Sequence, residues 1–253
     1  MQTVTVKDVT LGEGAVKVIV PITGTTTEEL VEQGRRLAEH DLDLVEWRVD
    51  FFEKVEDTEA VIDAARQLTE VLGVKPVIFT FRTAEEGGQR PIEPAQYAEL
   101  NIALARSGHV DLVDVELYRE LEYGDAIIDA AHAAGVKVII SNHDFDTTPP
   151  KDEIVARLRL MQERGADIPK IALMPQNPGD VLTVLAATYE MSSQHADRPI
   201  LTMSMAGTGV ISRMAGEVFG SCATFAMVGQ ASAPGQVPVE ELQPVLRLLH
   251  ANL

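Results

Sequence analysis

The stretch Leu44-Val45-Glu46-Trp47-Arg48-Val49-Asp50 alternates apolar and charged residues with the period of a β-strand. Alternation sends Glu46, Arg48 and Asp50 to one side and Val45, Trp47 and Val49 to the other. A charged strand face ordinarily meets water. If helices cover the apolar side, however, the charged side points into the interior of a closed sheet, where it must pair internally or bind something polar.

Working outward, the same kind of short β-branched run recurs along the chain. Eight such runs begin near Val16, Leu44, Pro76, Leu112, Lys137, Pro169, Pro199 and Cys222. They stand roughly 30 residues apart, the size of a β-α repeat, and eight such repeats close an α/β barrel of the (β/α)8, or TIM, class. The segments between them read as helices. Thr27 to His40 opens with a threonine and glutamates, Pro94 to Ser107 with a proline, and Pro150 to Arg164 places acids first and arginines last; Val239 to His250 closes the chain. Thr3 to Val6 and Val9 to Leu11 precede the repeats and read as a hairpin, within about residues 1–14, that plugs the bottom of the barrel. With 253 residues and 45% hydrophobic content, one domain spanning 1–253 is expected.

Charge narrows the partners. Lys and Arg number 21 against 39 Asp and Glu, a formal net charge of −18, which disfavours nucleic acid and anionic membranes and leaves room for a small anionic substrate where cations cluster. The single cysteine, Cys222, excludes an intramolecular disulfide and suits a reducing, cytosolic compartment. Lys7, Asp8 and Glu13 interrupt any apolar signal core, and no run reaches membrane-spanning length.

Barrel chemistry sits at the C-terminal ends of the strands and in the loops that follow. Among the six histidines, only His143, in Ser141-Asn142-His143-Asp144-Phe145, falls where a strand meets its loop, so it is the candidate general base. In Ile168-Pro169-Lys170-Ile171-Ala172-Leu173 a lysine interrupts an apolar run: either it snorkels to water, or it is a desolvated amine able to attack a carbonyl. Asp114 and Glu116 repeat the inward charge pattern, and neutralising nearby arginines is their simplest reading. Phe79 to Gly88 ends a strand on Arg82 and continues through Glu86-Gly87-Gly88; on the residues alone, Glu86 reads as an exposed loop acid. Ile200 to Ala206 runs into Gly207-Thr208-Gly209 and a helix carrying Arg213, a place where barrels build anion sites. Met203 and Met205 share a face and read as packing or pocket lining. The loop from Gly229 to Pro238 has the small-residue composition of a lid or of a plain connection. No Gly-x-Gly-x-x-Gly or Walker loop is present, and His143, Asp144 and Asp146 splay too far along a strand to hold a metal, so neither cofactor nor metal is expected. The inventory of a lysine, one histidine and Arg48, Arg82 and Arg213 suits an anionic carbonyl substrate.

Six motifs across nearly the whole chain resemble the type I 3-dehydroquinate dehydratases of the shikimate pathway. They are Glu46-Trp47-Arg48-Val49-Asp50, Phe81-Arg82 with Glu86-Gly87-Gly88, Ser141 to Phe145, Pro169-Lys170-Ile171-Ala172, Met203-Ser204-Met205 with Gly207 and Ser212-Arg213, and Ser232 to Gln236. The resemblance implies a β/α barrel that converts 3-dehydroquinate to 3-dehydroshikimate by syn elimination through a lysine imine, without metal or cofactor, as a cytoplasmic homodimer. It implies that Lys170 forms the imine, that His143 shuttles protons and that Glu86 orients His143. It further implies that Arg213 clamps the substrate carboxylate, that Glu46, Arg48 and Arg82 hold hydroxyls, and that Ser232 and Gln236 close the lid beside Met203 and Met205. At Pro21 the chain departs from the family pattern, which often places a serine there. Two rival readings stand beside it: a class I Schiff-base aldolase whose Gly207-Thr208-Gly209 turn holds a phosphate, and a barrel that binds a metabolite without catalysis.

Overall fold

The computed structural model describes residues 2–229 and 231–253. Its sheet runs β3 (Lys17–Ile22), β4 (Leu44–Arg48), β5 (Val77–Thr80), β6 (Leu112–Glu116), β7 (Lys137–Asp144), β8 (Ile168–Leu173) and β9 (Leu201–Ser204), each parallel to the one before it. β10 (Ala223–Met227) pairs with β3, and a parallel bridge between Ile200 and Ser221 brings β9 beside β10, which closes the ring. The helices are α1 (Thr27–Ala38), α2 (Thr58–Leu72), α3 (Pro94–Arg106), α4 (Leu121–Ala133), α5 (Lys151–Glu163), α6 (Pro178–Glu190), α7 (Val210–Phe219) and α8 (Val239–His250). This is the expected α/β barrel. One short strand was not expected: β11 (Val237–Pro238), at the end of the loop that follows β10, pairs in parallel with β10.

Local signals place the helices where the sequence puts them. Thr26 caps α1, its hydroxyl accepting from the Glu29 N–H at 3.3 Å, with Glu28 and Glu29 in the first turn and Arg35 and Arg36 in the last. α3 and α6 each carry proline in the first turn, where its missing N–H costs nothing. Apolar faces of the helices then cover the outside of the sheet. Val45, Trp47 and Val49 join that outer core, as alternation requires, and Trp47 meets Phe52 and Phe79 edge to face at 5.7 Å.

Inside the ring, alternation stacks side chains in layers. One apolar residue from each strand, Ile19, Leu44, Ile78, Leu112, Ile139, Ile168, Leu201 and Ala223, forms the floor. The hairpin of β1 (Val4–Val6) and β2 (Val9–Leu11) packs Val4, Val6 and Leu11 against that floor from below. Two residues further along each strand the character changes. Glu46, Thr80, Asp114, Ser141, Lys170, Met203 and Phe225 occupy the next layer, and Arg48, Arg82, Glu116, His143 and Met205 lie above them by the same count. Lys170 therefore comes early in β8 only because the floor residue Ile168 precedes it. Its amine stands above the floor and faces the upper half of the barrel.

β4 differs from its predicted form at one point. The strand ends at Arg48, and Val49–Phe51 turns into a single 3-10 turn. Asp50 is wholly buried all the same, because the turn folds its carboxylate back onto Arg48, with Oδ1 accepting from Nε and Oδ2 from Nη2, each at 2.8 Å.

Candidate active site

At the C-terminal end of the barrel lies a cavity with about 480 Å³ of open space. Lys170, His143, Glu86, Glu46, Arg48, Arg82, Arg213, Ser232, Gln236, Met203 and Met205 all line it. A larger groove of about 1070 Å³ lies between the hairpin and the ends of α3 and α4. That groove holds Lys7, Asp111 and Lys137 but no imidazole or buried amine, so the smaller cavity is the candidate site.

The Lys170 amine donates to Asp114 Oδ2 at 2.9 Å, stands 3.6 Å from Glu46 Oε1, and lies 4.8 Å from the centre of the Phe225 ring. Lys170 is buried, so its amine is held by two carboxylates and an aromatic face rather than by water, which removes the snorkelling reading. Asp114 carries more of the site than its sequence reading suggested. It also accepts from Arg82 Nη2 at 2.7 Å and from Ser141 Oγ at 2.6 Å. Burial alone raises its pKa, but the charges of Arg82 and Lys170 outweigh it and hold the carboxyl well below the usual range.

Arg82 is the central cation of the lower site. Besides Asp114, its guanidinium donates to Glu116 Oε1 at 3.0 Å and Ser141 Oγ at 3.1 Å. Burial works against its charge, yet Asp114, Glu116 and Glu86 keep it protonated. Glu116 in turn accepts from the Thr83 N–H and hydroxyl, at 2.9 and 2.8 Å, and so anchors the start of the loop that carries Glu86.

Glu86 is buried, in contrast to its reading as an exposed loop acid. The reason is the glycine pair behind it. Gly87 adopts a left-handed φ of 83°, and a Cβ there would fall 2.4 Å from the Phe145 ring; at Gly88 it would fall 1.8 Å from the Arg82 carbonyl oxygen. Only glycines let the chain fold that tightly and carry the carboxylate inward. Glu86 Oε2 then accepts from both the backbone N–H and Nδ1 of His143, each at 2.9 Å. With the carboxylate oxygen already accepting a backbone N–H, the imidazole proton belongs on Nδ1, and Nε2 is left as the proton acceptor. Burial, followed by the charges of Arg82 and Lys170, pushes the His143 pKa well down, so the ring is neutral. Burial and the neighbouring Glu116 raise the Glu86 pKa, while the charge of Arg82 and the hydrogen bonds from the Asn142 amide and the His143 N–H pull it back toward the carboxylate.

Arg213 is different in kind. It is 2% exposed, and among the described residues its hydrogen bonds are Nη1 donating to Met203 Sδ at 3.5 Å and Nη2 donating to the Pro234 carbonyl at 3.2 Å. Its Nε has no partner, and no carboxylate pairs with it among the described residues. Burial pushes its pKa down to about 10. The loop that follows β10 rests on this arginine through Pro234. Within the loop the Ser232 N–H donates to Gln236 Oε1 at 2.9 Å and Gln236 Nε2 donates to Ser232 Oγ at 3.2 Å. Gln230, also part of the predicted loop, lies outside the described residues.

A family model described as type I 3-dehydroquinase matches residues 18–253. The chain belongs to the type I 3-dehydroquinase family. The curated 3-dehydroquinate dehydratase of Salmonella typhimurium is 53% identical over 250 residues, 99% of each chain. Among solved structures, type I 3-dehydroquinate dehydratase from Clostridium difficile with covalent modified comenic acid superposes with a TM-score of 0.97 at 50% identity, covering 100% of this chain and 99% of that one. The 3-dehydroquinate dehydratase of Enterococcus faecalis superposes with 0.92 at 44% identity, covering 97% and 98%.

Within the family barrel, sequence reasoning gave no part to Ser141 or Phe225 and gave Asp114 only the neutralising of arginines. All three carry the i+2 spacing from a floor residue that also marks Lys170, so the layer count was the available signal. Pro21 shares that layer by count, but it lines a separate cleft with Thr23, Gln33 and Arg36. Asp144 is not free for a metal, since it caps its own turn by accepting from the Asp146 and Thr147 N–H groups at 3.0 and 2.8 Å.

Proposed function

We propose that this chain dehydrates 3-dehydroquinate to 3-dehydroshikimate through an imine on Lys170. One observation carries the reading. A buried lysine amine, a neutral imidazole oriented by a carboxylate, and a buried guanidinium with no carboxylate partner among the described residues line one cavity. Membership of the family and the acid-and-carbonyl chemistry of the substrate support it.

The steps follow from the groups. The Lys170 nitrogen attacks the ketone carbon, and loss of water leaves an imine whose positive charge Asp114 and Glu46 stabilise. The protonated imine withdraws electrons from the neighbouring carbon, so a modest base suffices to remove its proton, and Nε2 of His143 is that base. The resulting enamine pushes out the β-hydroxyl, which takes the same proton back from His143 and leaves as water. A single imidazole serving both transfers gives syn elimination. Water then hydrolyses the imine and frees Lys170. Arg213 grips the substrate carboxylate, Glu46, Arg48 and Arg82 face its hydroxyls, and Ser232 with Gln236 closes over it. We place the reaction in the cytoplasmic shikimate pathway and take the whole chain to act as one domain within a homodimer.

The test is reduction with borohydride in the presence of 3-dehydroquinate. A ligand-derived mass on Lys170, together with lost activity, is the expected result. Growth of the conjugated-enone absorbance of the product reports turnover, and enone formation without any adduct at Lys170 would rule out the imine.

A further inference from the structure

The orientation of His143 does not end at Glu86. Glu86 has two carboxylate oxygens, and while Oε2 serves His143, Oε1 accepts from Asn142 Nδ2 at 3.3 Å. Asn142 follows Ser141 in β7, so alternation turns its side chain away from the barrel interior toward the helix layer. There its amide oxygen accepts from Nη1 of Arg157, on the outer helix α5, at 2.9 Å. The amide is polarised at both ends. A cation holds its oxygen, which leaves its N–H2 group no choice but to point at the carboxylate. Arg157 is itself fixed, because Nη2 pairs with Glu153 one turn back on α5 and the guanidinium lies against the Tyr118 ring, 5.8 Å from its centre.

From this geometry we infer that Arg157 and Asn142 are positioning residues: a hydrogen-bond chain from the outer helix layer, Arg157 to Asn142 to Glu86, fixes the carboxylate that orients the His143 imidazole. The inference rests on the reading of His143 as the proton carrier. Its physical content is that a buried carboxylate has few ways to remain charged and still. The groups that face Glu86 are Arg82 at the end of β5, 3.6 Å away, Glu116 of β6, His143 and Asn142 of β7, and, through Asn142, the Arg157–Glu153 pair of α5. Arg119 pairs with Glu85 and Glu116 and so balances the loop acid next door. Among the described residues, the Asn142 amide is the group that hydrogen-bonds Oε1. Without it, that oxygen is unsatisfied, the carboxyl takes up a proton more readily, and its grip on Nδ1 loosens.

The experiment is a double-mutant cycle read by kinetics rather than by stability. Arg157→Met and Asn142→Leu should each lower kcat about tenfold, the worth of one hydrogen bond to a charged group. KM should change less than about twofold, since neither residue lines the cavity. The acidic limb of the kcat profile should move to higher pH, because Glu86 then holds its proton longer. Combining Arg157→Met with Glu86→Gln should add almost nothing to Glu86→Gln alone, and Arg157→Lys should recover part of the loss. A variant that is only less stable would keep the wild-type pH profile below its unfolding temperature, and that outcome overturns the proposal. So does an Arg157→Met penalty that persists undiminished in the Glu86→Gln background. Borohydride trapping on Lys170 separates the two readings: loss of trapping in the wild type would defeat the imine reaction, whereas intact trapping with an additive cycle would defeat only the chain.

Discussion

Arg213→Met should make the free protein more stable while it weakens the enzyme. The guanidinium is buried with no counter-ion among the described residues, and burial takes its pKa more than two units down from the ordinary arginine value, to about 10. A base whose pKa falls on folding destabilises the folded state at every pH below the folded value, because the chain must bury a charge that the unfolded chain keeps in water. At about 1.4 kcal/mol per pKa unit, the cost at neutral pH is roughly 3 kcal/mol. Methionine fills similar space without the charge. Against this gain stands the loss of the contacts to Met203 Sδ and the Pro234 carbonyl, about 1 kcal/mol together for one weak and one ordinary hydrogen bond. The net expectation is a gain of about 1–2 kcal/mol, and each kcal/mol raises the Tm of a chain of this size by about 2–4 °C. Function moves the other way. A two-pronged, charge-assisted grip on a carboxylate is worth about 3 kcal/mol or more, so kcat/KM should fall at least about 100-fold, chiefly through KM. Thermal unfolding of the ligand-free variant and steady-state kinetics check both halves, and the stabilisation that product confers on the wild type should vanish. A lower Tm in the ligand-free variant would refute the claim that this charge is held in reserve for a ligand. An unchanged KM would show that the substrate carboxylate is held elsewhere.

Other outcomes follow from the same contacts. Asp114→Asn removes the shared counter-ion of Arg82 and Lys170 and should cost about 3–5 kcal/mol at neutral pH by chemical denaturation, as for a broken buried pair. Because the Asp114 pKa is depressed in the folded state, that advantage is present above the ordinary titration near 3.8 and disappears as pH falls toward the folded value; a difference that persists unchanged in strong acid would be inconsistent with it. Gly88→Ala should abolish turnover with a lesser loss of fold, since the new Cβ meets the Arg82 carbonyl at 1.8 Å and must displace the Glu86 loop; circular dichroism and kinetics together distinguish the two. Trp47→Ala, which empties a wholly buried site between Phe52 and Phe79, should cost about 3–5 kcal/mol in urea unfolding without a specific effect on KM.

The chain by itself determined the barrel and the inward turn of its charged strand residues. Eight runs at a steady spacing leave few ways to bury their apolar faces other than a ring covered by helices, and alternation around Glu46 and Arg48 then forces charge inward. Because strand ends and following loops converge on one face of such a ring, residues as distant as Glu46 and Gln236 were readable as neighbours. What alternation does not encode is depth. Lys170 comes early in its strand, and its depth is set by Ile168 and its counterparts, which form a floor sealed by Val4, Val6 and Leu11. Nor does a list of charged residues say which pairs form. Asp114, read as a neutraliser of arginines, also holds the lysine, and Arg82 is committed to three internal acceptors while Arg213 has no carboxylate partner among the described residues. Glu86 looked like a loop acid because burial in a loop depends on what the backbone folds against, here the Arg82 carbonyl and the Phe145 ring. Pattern and spacing act along the chain, and so they are written in it. Pairing, depth and desolvation arise between distant segments, and only the closed barrel brings those segments within reach of one another.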